Sequence, residues 1–163
     1  MEYYKTYIQM EGEGGEFVET VARWGLYCGA IPFKFAGEAK EVSARNWMDE
    51  DGLDEYISPD GLRMAYYDLD VTFCFKGSKF EANPCVTEFL KFIVKGKMML
   101  YSEYLGIGRR HVRYLKVNDD ATLVRSDDGD ILYFTVTFRV GDPVTEVVTT
   151  ADEDGNVNGL VAV

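Results

Sequence analysis

The chain has 163 residues, 47% of them apolar and 14% aromatic, and carries a formal charge of −11 from 17 basic and 28 acidic side chains. That length suits one domain with a core of its own, and the apolar content excludes a disordered polymer. The acidity argues against nucleic acid as a partner, because phosphate neutralisation by Lys and Arg supplies most of such affinity.

No stretch reaches the roughly 20 apolar residues of a membrane span. The start, Met1 to Lys5, lacks the charged-then-apolar pattern of a signal peptide, so the product is expected to stay in the cytoplasm where it is made. Tyr3 to Gln9 is β-prone and partly alternating, a first strand, and Glu11 to Gly15 is a turn. Phe17, Val21 and Trp24 fall at i, i+4 and i+7, which suits a short helix, although Val and Thr leave a strand open. Leu26 to Phe35 reads as a strand broken at Pro32. Gly37 to Asn46 is a polar connection with room for a short strand, Trp47 to Gly52 is a loop, and Ser58 to Gly61 is a Pro-Gly turn.

The strongest strand follows. Tyr67, Leu69, Val71, Phe73 and Phe75 make an apolar face, and Tyr66, Asp68, Asp70, Thr72 and Lys76 a polar one. A helix is then expected from Asn83 to Lys95, with Asn83 as N-cap, Pro84 at the first helical position, Val86, Phe89, Leu90 and Ile93 at helical spacing, and Gly96 closing it. Strands follow at Lys97–Tyr104, Arg109–Val117 and Ala121–Ser126, interrupted at Gly106–Gly108 and Asn118–Asp120. Asp127 to Asp130 is a hairpin turn, and Ile131 to Val140 alternates with Leu132, Phe134, Val136, Phe138 and Val140 inward. The pattern defines a mainly β fold, an antiparallel sandwich or a curved barrel-like sheet with one flanking helix. It gives one domain over residues 1–148 and an acidic tail, 149–163, that is a loose hairpin or frayed end.

Chemistry is hard to find in it. Cys28, Cys74 and Cys85 are odd in number and widely spaced, with no CxxC pair, and read as buried free thiols. His111 is the single histidine, and no nucleophile motif accompanies it. The acidic clusters ending at Gly52 and Gly155 put Trp47 and Thr150 where a calcium loop needs its first oxygen ligand. Gly106 to Arg110 lacks the ending of a phosphate-binding loop. No catalytic residue, metal or cofactor is therefore assigned. Charge is the clearest signal: Lys91 to Lys116 carries +6, leaving the remainder at −17. Arg109, Arg110, Arg113 and Lys116 are the basic side of a candidate interface. Asp49 and Asp51, with Asp127 and Asp128, are its acidic side.

The order of features also resembles a known family. A Trp47–Gly52 acidic loop, a Tyr67–Lys76 strand, a helix, a Tyr101-x-x-Tyr104 strand, Gly108-Arg-Arg with Val112–Leu115, and a Val136–Val140 strand closing on Asp142-Pro143 are similar to the tail-tube and distal-tail proteins of long-tailed phages, in their prophage-encoded form. The resemblance spans Tyr3 to Val148 and leaves Phe17 to Asn46 unmatched. It implies a non-enzymatic virion protein that forms hexameric rings around the DNA conduit and contacts other tail proteins. It does not separate tube from distal-tail adaptor or terminator. The alternative is a ligand- or glycan-binding sandwich using Tyr66, Tyr101 and Tyr104 as its platform.

Overall fold

A computed structural model describes residues 3–118 and 120–163. In chain order the elements are β1 (Thr6–Met10), β2 (Phe17–Glu19), α1 (Thr20–Trp24), β3 (Leu26–Cys28), β4 (Ala44–Arg45), β5 (Asp54–Glu55), β6 (Tyr67–Gly77), α2 (Ala82–Ile93), β7 (Met98–Ser102), β8 (Ile107–Val117), β9 (Thr122–Ser126), β10 (Gly129–Val140), β11 (Val147–Ala151) and β12 (Val157–Ala162). Eight of these strands form one curled antiparallel sheet in the order β2-β1-β7-β8-β10-β6-β3, with β9 paired to the first half of β10. The expected Asn118–Asp120 break lies partly outside the described residues.

The long strands β6 and β10 form because their period-two patterns agree. They pair from Asp130↔Gly77 to Val140↔Tyr67 without a slip, which sets Phe73 beside Phe134 and Val71 beside Val136 on the inner face. All five inward side chains of β6 are buried. On the outer face the same register aligns Asp68 with Arg139, Asp70 with Thr137 and Thr72 with Thr135, and each pair is hydrogen-bonded. Such cross-strand rungs fix a register that a one-residue slip would invert.

Helix α2 lies across the inner face with Phe89, Phe92 and Ile93 buried, and the Phe89 ring meets Phe73 at 5.0 Å and Trp24 at 5.2 Å. It begins ahead of the expected Asn83. Glu81 occupies the cap position without a side-chain cap bond, and Pro84 is the third helical residue, still in the turn whose N–H groups have no partner within the helix. Asp130 from β10 anchors the segment that leads into the helix: its buried carboxylate takes the Phe80 N–H at 2.9 Å and the Arg125 guanidinium at 2.8 and 3.2 Å. The helix ends through Val94 in a right-handed conformation, not through Gly96.

Two expectations are corrected and a third is narrowed. Phe17 to Trp24 divides into strand β2 and helix α1, because Phe17 packs on Tyr7 outside the sheet while Trp24 enters the main core. Of Leu26 to Phe35 only Leu26–Cys28 pairs as a strand, and the rest is a strap whose Ile31 and Phe33 close the mouth of the core. Of the two readings of the chain's end, a loose hairpin or a frayed end, the hairpin is the one that forms, and it is packed. Val147 and Leu160, from the β11–β12 hairpin, join Tyr7 in a second small core on the outer face, and Gln9 accepts the Leu160 N–H at 2.6 Å.

Candidate subunit interface

The basic side of the candidate interface lies on β8, and β8 carries two irregularities. Met98 pairs with Val112 and Leu100 with Arg109, so one extra residue is accommodated at Arg110–His111; the second slip lies opposite Thr137/Phe138. His111 adopts φ 56° at the first bulge. Glu11, from the β1–β2 turn, holds it there by accepting the His111 backbone N–H at 2.7 Å and contacting Nδ1 at 2.8 Å. The bulge turns both Arg109 and Val112 into the interior.

The four basic residues are therefore not one patch. Arg109 is only 3% exposed, beneath the strap, with Nη1 donating to the Gly108 carbonyl at 3.0 Å and Nη2 to the Lys34 carbonyl at 3.3 Å. Arg110 is engaged by Asp142 at 2.6 Å. Burial alone would raise the Asp142 carboxyl, but the Thr145 and Val144 amides and the Arg110 guanidinium hold it well below the usual carboxylate range. Arg113 and Lys116 are exposed, opposite Arg139 and Thr137 on the outer face.

The acidic side is divided as well. Asp127 and Asp128 form the β9–β10 turn, where Asp127 meets Lys79 at 3.3 Å. The turn closes over Gly129, where a Cβ would fall 2.2 Å from the Gly77 carbonyl, so only glycine fits. Asp49 and Asp51 lie at the tip of a two-stranded ribbon; the short strand expected within Gly37 to Asn46 is present as β4, but its pairing with β5 across the loop and turn that follow was not foreseen. Its strands are held by Ala65 N–H to Glu38, Lys40 N–H to Arg63 and Tyr56 N–H to Ser43, at 2.7, 2.7 and 2.8 Å, and by the β4–β5 pair. From Lys34 to Tyr66 no residue is buried, and Phe35, Trp47, Met48, Leu53, Tyr56 and Ile57 are all exposed. Between Glu38 and Arg63 the ribbon holds eight acids and three bases. A long polar, acid-rich run without an apolar period, yet with Trp47, Met48, Leu53, Tyr56 and Ile57 scattered through it, was the signal that could have found it.

Other chemistry is sparse. The cysteines are unpaired and half-buried rather than fully buried, and burial pushes the Cys28 thiol up to about 12. Among the described residues no group of three or more His, Cys, Asp or Glu is placed to hold a metal ion, and no helix is long and apolar enough to cross a membrane. The three tyrosines of the glycan alternative do not share a platform. Tyr101 packs in the small outer core, Tyr104 stands against Tyr4, and Tyr66 lies under the Arg139 guanidinium.

No family model matches the chain, and no curated protein matches it in sequence. Solved structures do. The SPP1 Dit protein, described as a hub adsorption apparatus in phages infecting Gram-positive bacteria, superposes with a TM-score of 0.54 at 13% identity, over 91% of this chain and 55% of that one. The phage p2 baseplate in its activated conformation with Sr gives 0.58 at 10% identity, over 93% of this chain and 49% of the other. The corresponding structure with Ca gives 0.57 at 10% identity, over 96% and 57%. The chain thus shares the fold of the matched part of these phage proteins and spans about half the length of the chains it matches.

Proposed function

We propose that this chain is a non-enzymatic structural subunit of a phage tail, at the distal-tail or baseplate level, that closes with copies of itself into a ring around the DNA conduit. The ring is hexameric, as the family resemblance implies, and its other partners are neighbouring tail proteins of the virion. The observation that carries the reading is the ribbon. An isolated two-stranded hairpin is marginal in water, yet this one runs from Lys34 to Tyr66 with no buried residue and several exposed aromatics. An exposed apolar surface of that kind marks a protein contact.

A second copy is the partner that charge favours. The ribbon is acidic, whereas Lys91, Lys95 and Lys97 at the end of α2, with Arg113 and Lys116 on β8, are exposed on the body. Ribbon on body is a heterologous contact, and such contacts close into rings when the rotation allows. The acidity of the whole suits a conduit, since a basic lumen would retain the DNA passing through it.

Ala39 and Met64 face each other across the ribbon's base, so Lys40–Arg63 can be replaced by a short Gly-containing turn. The shortened chain is expected to unfold at the same urea concentration as the intact one and to lose self-association in sedimentation velocity. Equal association by both chains contradicts the reading.

A further inference from the structure

Three arginines show how a guanidinium is satisfied in this fold, and a fourth breaks the pattern. Arg125 presents its Nε/Nη2 edge to Asp130 at 2.8 and 3.2 Å, and Arg139 presents the same edge to Asp68 at 2.8 and 3.1 Å. Arg110 uses its Nε on Asp142. Arg109 is the most buried of the four, yet it pairs with no carboxylate among the described residues. Its Nη1 is satisfied by Gly108, its Nη2 makes one long contact to Lys34, and its Nε is buried with no acceptor. The Nε/Nη2 edge, of which only Nη2 is used, is the one that takes a carboxylate side-on.

A buried cation without a counter-charge is unfavourable. This one sits beneath the strap at the root of the ribbon, where Lys34 and Phe35 turn outward and are exposed. The carboxylates at the ribbon tip are its complement: Asp49, Glu50 and Asp51 are exposed and make no ion pair among the described residues. We propose that Arg109 is a carboxylate-binding site completed in the assembly, its Nε/Nη2 edge receiving an acidic side chain from the ribbon tip of a second copy. The Lys34 carbonyl gives up its 3.3 Å contact as the strap shifts. This inference rests on the self-assembly reading above and adds which residue receives the ribbon.

The test is a cycle on the full chain. Arg109→Met removes the charge and keeps an apolar stem; the second arm neutralises the tip with Asp49→Asn, Glu50→Gln and Asp51→Asn. Arg109→Met is expected to weaken self-association at least about tenfold, while the melting temperature of the dissociated subunit stays the same or rises. In the neutralised background it is expected to weaken association no further, the signature of a shared contact. Unchanged association in Arg109→Met, or penalties that add in full, overturns the inference and leaves the ring reading standing. If Arg109→Met does not fold, Arg109→Lys, which keeps the charge and loses the fork, is judged by the same criteria. An intact chain that never associates fails the ring reading first, before any variant is made.

Discussion

Arg109 and Asp142 show how far a single side chain is set by its partners. The guanidinium of Arg110 and the amides of Val144 and Thr145 converge on Asp142 just after β10 ends, and its carboxyl is held low against the opposing effect of burial. Arg139 likewise lowers Asp68, and Arg125 lowers Asp130. A carboxyl whose folded pKa lies below its unfolded value of about 4 contributes stability that is complete above that value and is lost as pH falls through the folded one. Urea midpoints are therefore expected to be flat above about pH 5 and to drop below pH 4. Asp142→Asn is expected to be less stable at neutral pH and to converge on the wild type in acid; a difference that stays constant from pH 7 to pH 3 contradicts this role. None of these partners was legible beforehand. Asp142 could be read as a strand stop, but Arg109 could not be separated from Arg113, because strict alternation places them on one face and the bulge at Arg110–His111 is set by Glu11, 100 residues away in sequence.

The elements divide by where their information lies. Strands β6 and β10 and helix α2 were legible because each carries its own apolar period, and the pairing of β6 with β10 preserves both periods intact. The boundaries of α2 were not, since the segment leading into it is anchored by Asp130 from a strand distant in sequence. The ribbon escaped for the opposite reason: between Lys34 and Tyr66 there is no buried face to impose a period. Within α2, Phe89 is fully buried between Phe73 and Trp24, whereas Lys91 is exposed. Phe89→Ala is expected to cost about 3–5 kcal/mol and Lys91→Ala within about 0.5 kcal/mol, measured by urea unfolding. Equal small losses would mean that α2 does not carry the core.

At the scale of the whole molecule, the curled sheet supplies a rigid body, with α2 sealing one side and the β11–β12 hairpin the other, and from it the ribbon extends unsupported. The charge segregation was legible in the sequence, but its geometry was not. The basic run is divided among the interior, an internal ion pair and exposed positions, and the acids at the ribbon tip are exposed with no ion pair among the described residues. An assembly made this way has an apolar part, from the ribbon's aromatics, and an electrostatic part that fades as the Debye length shortens to about 3 Å at 1 M salt. Light scattering on the intact chain over a range of concentrations, at low salt and at 1 M salt, examines both parts at once. A discrete hexamer mass at low salt that diminishes at 1 M salt is the expected result; a single-chain mass at every concentration and both salts contradicts a self-assembling tail subunit.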